Sequence, residues 1–182
     1  MGVELIDRVT ELTDSDLLKA HRAGDAAAFE ALYRRYRDRL FLYARSRTRD
    51  DGVAEDLVNE TFLRAVRAGS GSGSIAPFLF TVLRRLTIDR ARSEEAQRRR
   101  EESLRLQWVE ASTPQADASA VEELNRALRT LPPDQLEAVV LHVYGALPFA
   151  EAAEVVGVPA KTMMSRYAYA LDKLSALLKG SP

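Results

Sequence analysis

The chain has 182 residues, contains no cysteine and carries a formal net charge of −1 at pH 7. The absence of thiols excludes structural disulfides and cysteine-ligated zinc sites. Its hydrophobic content of 46% supports packed cores, and its length fits one ordinary domain or two small ones.

From the sequence we expect neither a secretory signal peptide nor a membrane span. Residues 1–13 carry acids and lack the basic start and apolar core of a signal peptide. The most apolar stretch, residues 136–158, contains Glu137, Glu151 and Glu154, which is incompatible with a membrane span. We therefore expect a soluble, cytoplasmic protein without membrane insertion.

The first half of the chain predicts a series of helices. Thr13 to Asp16 resembles a capping box that opens a short helix ending near Arg22. After Gly24-Asp25, apolar residues recur at intervals of three and four, as on an amphipathic helix; they are Phe29, Leu32, Tyr33, Tyr36, Leu40, Tyr43 and Ala44. A turn at residues 50–52 precedes another such stripe, made of Ala54, Leu57, Val58, Phe62, Ala65 and Val66.

Glycine and serine alternate over residues 69–74, which predicts a flexible loop. Pro77 suits the first turn of a helix that we expect to end near Arg92. A charged, weakly periodic stretch follows, and the small residues and proline of residues 111–120 predict an interdomain linker.

The last third of the chain predicts a second helical unit. Pro132-Pro133 separates two helices, Gly145 ends the second, and a short helix follows Pro148. No segment shows convincing strand alternation. The prediction is an all-α fold with two small helical domains, residues 13–92 and 121–179, joined by a charged segment and linker over residues 93–120.

A short helix, a tight turn at residues 157–159 and a final helix from about 160 to 178 predict a helix-turn-helix. Its inner face would join Ala153, Val156, Val158, Met163, Tyr167, Ala170, Leu174 and Leu177. The exposed start of the final helix would enter a DNA major groove with Lys161, Thr162, Met164, Ser165, Arg166 and Tyr169. An ordinary helical hairpin with solvated charges is the alternative.

Two further surfaces carry candidate binding residues. Arg84, Arg85 and Arg92, with the run 98–100 behind them, make a basic ridge suited to a phosphate backbone, although nearby glutamates allow a merely salt-bridged face. The outer face of the helix around residue 58 is acidic and could bind a basic partner, or simply face solvent; it carries Glu55, Asp56, Asn59, Glu60 and Leu63.

An enzymatic function is not favoured by the sequence. The chain has only two histidines, His21 and His142, which lie far apart, and no phosphate-binding glycine loop follows a strand. We expect a protein that is not an enzyme and that needs no cofactor or metal.

Four segments resemble, in order, the extracytoplasmic-function sigma factors, and the likeness covers nearly the whole chain. Residues 23–36 (AGDAAAFEALYRRY) and 54–65 (AEDLVNETFLRA) resemble region two of the family, the second being its polymerase-binding helix. Residues 78–90 (FLFTVLRRLTIDR) resemble its helix for the minus-ten promoter element. Residues 131–135 (LPPDQ) and 150–159 (AEAAEVVGVP) resemble region four, which recognises the minus-thirty-five element.

The resemblance implies core RNA polymerase, promoter DNA and an anti-sigma factor as partners, and a role in promoter recognition, melting and transcription initiation. It also shows departures: the family usually has tryptophan at Val66 and Phe78, asparagine at Arg85, and basic residues where Met164, Ala168 and Tyr169 stand. The near-neutral last helix keeps two alternatives open, a helix-turn-helix regulator without polymerase and a helical adaptor.

Overall fold

Helices account for almost all of the residues that the computed structural model describes, which are 12–68, 74–104 and 120–179. In chain order they are α1 (Asp14–Arg22), α2 (Ala26–Thr48), α3 (Asp51–Ala68), α4 (Ile75–Leu104), α5 (Ala120–Arg129), α6 (Pro133–Val139), a π-helical segment (Val140–Tyr144), α7 (Phe149–Val156) and α8 (Ala160–Lys179). We call α1–α4 the N-terminal bundle and α5–α8 the C-terminal bundle. The all-α prediction is confirmed, and none of the helices in these ranges is long and apolar enough to cross a membrane.

The first two helices begin where side chains replace the missing helical partners of the backbone. The hydroxyl of Thr13 accepts from the backbone N–H of Asp16 at 3.2 Å, as the predicted capping box requires. Asp25 caps α2 by accepting from the N–H of Ala27 at 2.9 Å. These caps stabilise the N-terminal ends of α1 and α2.

Helix α4 is longer than the sequence pattern predicts. We expected it to end near Arg92, because no apolar stripe continues beyond that point. Instead its exposed second half carries ion pairs one turn apart, from Arg90 to Glu94 at 2.7 Å and from Arg99 to Glu95 at 2.8 Å. Such pairs support an exposed helix without burial of apolar side chains, so the helix extends to Leu104, into the charged segment that precedes the predicted linker.

Other predicted segments lie outside the described residues. They are most of the glycine-serine loop (69–73), the remaining linker (105–119), and both chain ends (1–11 and 180–182).

The main hydrophobic core is continuous between the two bundles. In the N-terminal bundle it includes fully buried Leu40, Tyr43 and Phe80, and the rings of Tyr43 and Phe80 meet edge to face with centroids 5.8 Å apart. Leu141 and Leu147 of the C-terminal bundle belong to the same cluster. A small second cluster lies within the C-terminal bundle and comprises Ala127, Leu128, Leu131, Val139, Ala170 and Leu174.

The π-helical segment ends against the N-terminal bundle. The N–H of Gly145 bonds to the carbonyl of Val140 at 2.8 Å, one residue further back than in an α-helix. A Cβ at Gly145 would lie only 2.4 Å from the carbonyl oxygen of Leu141, so a larger residue would not fit here without a shift of the backbone. The carbonyl of Gly145 accepts from Nε of Arg39 in α2 at 2.9 Å.

Candidate functional site

The predicted acidic surface is the outer face of α3. The opposite face of this helix is buried through Leu57, Val58 and Phe62, which fixes the rotation of the helix on the bundle. The outward residues are Glu55, Asp56, Asn59, Glu60 and Leu63; Glu60 is half-buried and the others are exposed. The structure thus brings all of the predicted polymerase-binding residues to one face.

Neighbouring side chains already hold part of this face in place. Glu55 pairs with Arg37 at 3.0 Å, and Glu60 pairs with Arg64 at 2.6 Å. Leu63 is 52% exposed. An apolar side chain this open, beside ordered carboxylates, is a suitable centre for a docking surface with a polar rim.

The three arginines predicted on α4 do not share one environment. Arg85 and Arg92 are exposed, and neither forms an ion pair with Asp89 or any other acid in the part of the chain described. Arg84, by contrast, is turned toward the C-terminal bundle, where its Nε lies 3.0 Å from Oε1 of Glu137. The face available to a ligand in this structure therefore contains Arg85 and Arg92 without Arg84.

The run at residues 98–100 is also less available than the sequence suggests. Arg98 and Arg99 both pair with Glu95, at 3.5 and 2.8 Å. All of these groups are largely solvated, so the pairs contribute little to stability. They do lower the net positive charge of this end of α4.

The helix-turn-helix prediction is supported by the geometry of α7, the turn and α8. Gly157 adopts the left-handed conformation, with φ 79°, that glycine tolerates best, and its N–H bonds to the carbonyl of Ala153 at 2.8 Å. Ala153 and Met163 are buried, and partly buried Tyr167 packs against the same core. Leu177 differs from the prediction, because it is 41% exposed at the end of α8.

An aromatic cluster fixes the position of the two helices of this motif. The rings of His142 and Phe149 are stacked with centroids 4.0 Å apart, and Tyr167 meets both rings edge-on. Nδ1 of His142 lies 2.8 Å from the carbonyl oxygen of Leu147. His142 therefore has a packing role at the edge of the core.

The start of α8 presents a mostly neutral surface. Exposed residues of the predicted set are Lys161, Met164, Ser165 and Tyr169, whereas Thr162 is half-buried. Met164 and Tyr169 are 52% and 65% exposed. This is unusually apolar for a helix that enters a DNA groove, where cations normally dominate.

The remaining predicted cation, Arg166, is engaged inside the C-terminal bundle. Its Nε lies 3.2 Å from Oδ2 of Asp134 at the start of α6, and its side chain is only 26% exposed. Asp134 is half-exposed, so DNA could compete for Arg166. Of the two cations predicted at the start of α8, only Lys161 therefore faces solvent without an ion pair among the described residues.

Sequence reasoning did not identify Glu137, which lies at the contact between the bundles. It is 7% exposed and interacts with Tyr43, Arg47 and Arg84. One signal was present in the sequence: Glu137 is a charged residue directly before the apolar run of residues 138–141 and four residues before the buried Leu141. Its partners could not be deduced from that signal.

Comparison with known proteins identifies the family. The model of the ECF sigma factor family matches residues 11–180. The chain is 33% identical over 176 residues to the ECF RNA polymerase sigma factor SigM of Mycobacterium tuberculosis, covering 92% of this chain and 86% of the relative. It is also 33% identical over 156 residues to the sigma factor BldN of Streptomyces coelicolor, covering 78% of this chain and 57% of that one.

Solved structures share the fold. The sigma factor RpoE of Bartonella quintana, in complex with the anti-sigma factor NepR, matches with a TM-score of 0.62 and 25% identity over 79% of this chain and 91% of that one. CnrH, in complex with the cytosolic domain of CnrY, matches with a TM-score of 0.67 and 24% identity over 93% and 99% of the two chains. The chain belongs to the extracytoplasmic-function sigma factor family, and it is a transcription-initiation factor that binds core RNA polymerase and promoter DNA.

Proposed function

We propose that the outer face of α3 is the surface by which this sigma factor binds core RNA polymerase. The observation that carries the assignment is the exposure of Leu63 among the carboxylates of Glu55, Asp56 and Glu60. A basic patch on the polymerase would complement the acids, while Leu63 would be buried at the centre of the contact. The family match favours this function over a polymerase-independent regulator or adaptor.

The DNA contacts are assigned to two separate helices. Arg85 and Arg92, with Arg84 once it is released, would contact the minus-ten element from α4, within the domain over residues 13–92. The start of α8, within the domain over residues 121–179, would contact the minus-thirty-five element through Lys161, Thr162, Met164, Ser165, Arg166 and Tyr169. Guanidinium groups suit both phosphates and guanine edges, which is consistent with this division.

An anti-sigma factor is a further proposed partner. The related RpoE of Bartonella quintana is known in complex with one. By similarity, a regulatory protein of this kind would cover the same surfaces until transcription is needed. Because its proposed partners are polymerase and the chromosome, we place the protein in the cytoplasm, acting by binding and not by catalysis.

Charge reversal on α3 tests the polymerase surface. The double variant Asp56→Lys, Glu60→Lys is expected to reduce co-purification with core RNA polymerase at least tenfold, because like charges at a protein interface cost several kcal/mol. The measurement is a pull-down with purified core enzyme at two salt concentrations, with circular dichroism to establish that the helices remain folded.

A matched control separates a local effect from a change of net charge. Glu154→Lys with Asp172→Lys makes the same change at exposed positions of the C-terminal bundle and is expected to leave core binding in the absence of DNA near the wild-type level. Wild-type binding by the α3 double variant would overturn the assignment of this surface.

A further inference from the structure

A buried carboxylate joins the two bundles at one point. Oε1 of Glu137 accepts from the hydroxyl of Tyr43 at 2.9 Å. The same oxygen lies 2.9 Å from Nη2 of Arg47 and 3.0 Å from Nε of Arg84. Glu137 lies on α6 of the C-terminal bundle, whereas these three partners lie on α2 and α4 of the N-terminal bundle.

The partners are arranged for an anion. Arg47 also lies over the ring of Tyr43, 5.6 Å from its centroid. Burial, together with the neighbouring Glu137 carboxylate, raises the pKa of Tyr43, so its hydroxyl remains a hydrogen-bond donor at neutral pH. One carboxylate thus faces two guanidinium groups and a phenol, which leaves a local excess of positive charge.

Such a cluster holds the bundles together only in one arrangement. A buried carboxylate loses its hydration and is tolerated only when it is fully paired. If the bundles separate, water solvates Glu137 and both arginines, so the cluster favours a defined closed geometry more than it adds net stability. The contact of Arg39 with Gly145 and the shared apolar core support the same geometry.

Arg84 links this cluster to DNA binding. It precedes the exposed Arg85 on α4, the helix assigned to the minus-ten element. Carboxylates and phosphates are recognised by guanidinium groups in the same way. In the closed geometry Glu137 is therefore paired with the guanidinium of Arg84, which a DNA phosphate would otherwise contact.

We propose that Glu137 is an internal latch, which keeps the free factor closed and is displaced from Arg84 by a phosphate of promoter DNA. The closed state requires only the contacts described above. The displacement by DNA rests in addition on the proposed function of α4.

The closed state is tested by a distance measurement on the full chain. Because the chain contains no cysteine, spin labels can be placed uniquely through Glu30→Cys on α2 and Ser175→Cys on α8, both exposed positions. The doubly labelled chain with Glu137 intact is expected to give one short, narrow distance distribution. Glu137→Gln is expected to raise the separated population roughly tenfold or more, because it leaves two partly buried guanidinium groups without their counter-charge.

Two further variants make this result interpretable. Asp134→Asn neutralises another acid of α6, but its partner Arg166 lies in the same bundle, so the distance distribution is expected to stay short. Arg47→Met breaks the latch from the N-terminal side and is expected to open the chain as Glu137→Gln does. If both latch variants keep the short distance, the latch is refuted.

The displacement by DNA is tested by titrating the free factor with a fluorescent minus-ten oligonucleotide. Glu137→Gln is expected to bind at least fivefold more tightly than wild type, and the gain is expected to vanish when Arg84→Ala is added. Glu30→Gln changes the net charge equally at an exposed site and is expected to bind as wild type does. Opening of the chain without any gain in affinity would refute the role of Arg84 in DNA binding while leaving the latch intact.

Discussion

The two surfaces that we propose as DNA-binding, one on each bundle, differ in kind. On α4 of the N-terminal bundle, Arg85 and Arg92 are exposed cations without an acidic partner among the described residues. On α8 of the C-terminal bundle, Met164 and Tyr169 are exposed, and Arg166 is paired with Asp134. If both surfaces bind DNA as proposed, the difference predicts that the first bundle gains affinity from phosphate charge, whereas the second depends on groove fit and apolar contact.

A charged surface and an apolar surface respond differently to salt and to base changes. Phosphate contacts weaken steeply as salt rises and are indifferent to sequence. Apolar contacts and single base-reading side chains depend little on salt but change with the base pair. The comparison between the bundles can therefore be tested one residue at a time.

The largest expected effect tests whether the two bundles unfold as one unit. Leu141→Ala in the C-terminal bundle removes a fully buried side chain of the shared core. We expect a loss of about 2–5 kcal/mol in the free energy of unfolding, with both bundles unfolding in one transition. Chemical denaturation followed by circular dichroism measures it.

Leu174→Ala is the matched control for that loss, because Leu174 belongs to the small second cluster and is 7% exposed. It is expected to cost less than Leu141→Ala. Two separate transitions in Leu141→Ala, with the N-terminal bundle unfolding at its original denaturant concentration, would show that the continuous core does not couple the bundles.

The next effect concerns base recognition by the C-terminal bundle. If DNA takes Arg166 from Asp134, Arg166→Ala is expected to cost about 1–3 kcal/mol on promoters whose upstream element contains the matching base pair. Promoters altered at that base pair are expected to show no such loss. Holoenzyme binding to a series of upstream point variants measures it.

Asp134→Asn sharpens this test because it frees Arg166 without removing it. A modest gain in affinity for the same promoters is expected. If Arg166→Ala changes neither affinity nor base preference on any template, the ion pair with Asp134 is the whole role of Arg166, and α8 does not recognise bases through it.

The smallest effect concerns phosphate contacts of the N-terminal bundle. Arg85→Ala is expected to flatten the slope of log affinity against log salt by about 0.9 on duplex DNA, or about 0.7 if the strand is single. All promoter sequences should weaken alike. Holoenzyme titrations at several salt concentrations give the slope.

Arg34→Ala supplies the control for this slope, since Arg34 is an exposed arginine on α2 that pairs with Glu30 of the same helix and is not assigned to DNA. Its slope is expected to match wild type. A loss confined to one promoter sequence in Arg85→Ala would instead make Arg85 a base-reading residue and remove the contrast between the bundles.

Local signals in the sequence were sufficient for most of the fold. The cap at Thr13, the periodic apolar stripes and the turn at Gly157 each depend on residues close together in the chain. The cap and the turn have their predicted structure, and the stripes are buried or half-buried apart from the exposed Val66 and Leu177. The C-terminal end of α4 was not predicted, because its last turns contain side-chain ion pairs and no apolar stripe.

The candidate site was less predictable, because its decisive contacts join distant residues. Arg84 lies 53 positions from Glu137 in the chain, and Tyr43 lies 94 positions from it. Periodicity shows which face of a helix is buried but not which residue of another helix it meets. The sequence therefore predicted Arg84 in a basic ridge, with nearby glutamates as its possible partners, whereas the packing of the two bundles pairs it with Glu137.

The π-helical segment has a consequence for how this protein can change by insertion and deletion. The bond from Gly145 back to Val140 spans one residue more than an α-helical bond. The segment therefore holds one extra residue within about one turn, so a deletion between 140 and 144 that restores α-helical spacing would leave the helices that follow close to their present orientation. A single-residue deletion within the regular helix α6 would instead rotate everything that follows by about 100° about the helix axis, and Gly145 would then no longer face Arg39. Lineages that change the length of this region are therefore expected to vary within residues 140–144 and to keep the length of α6 unchanged.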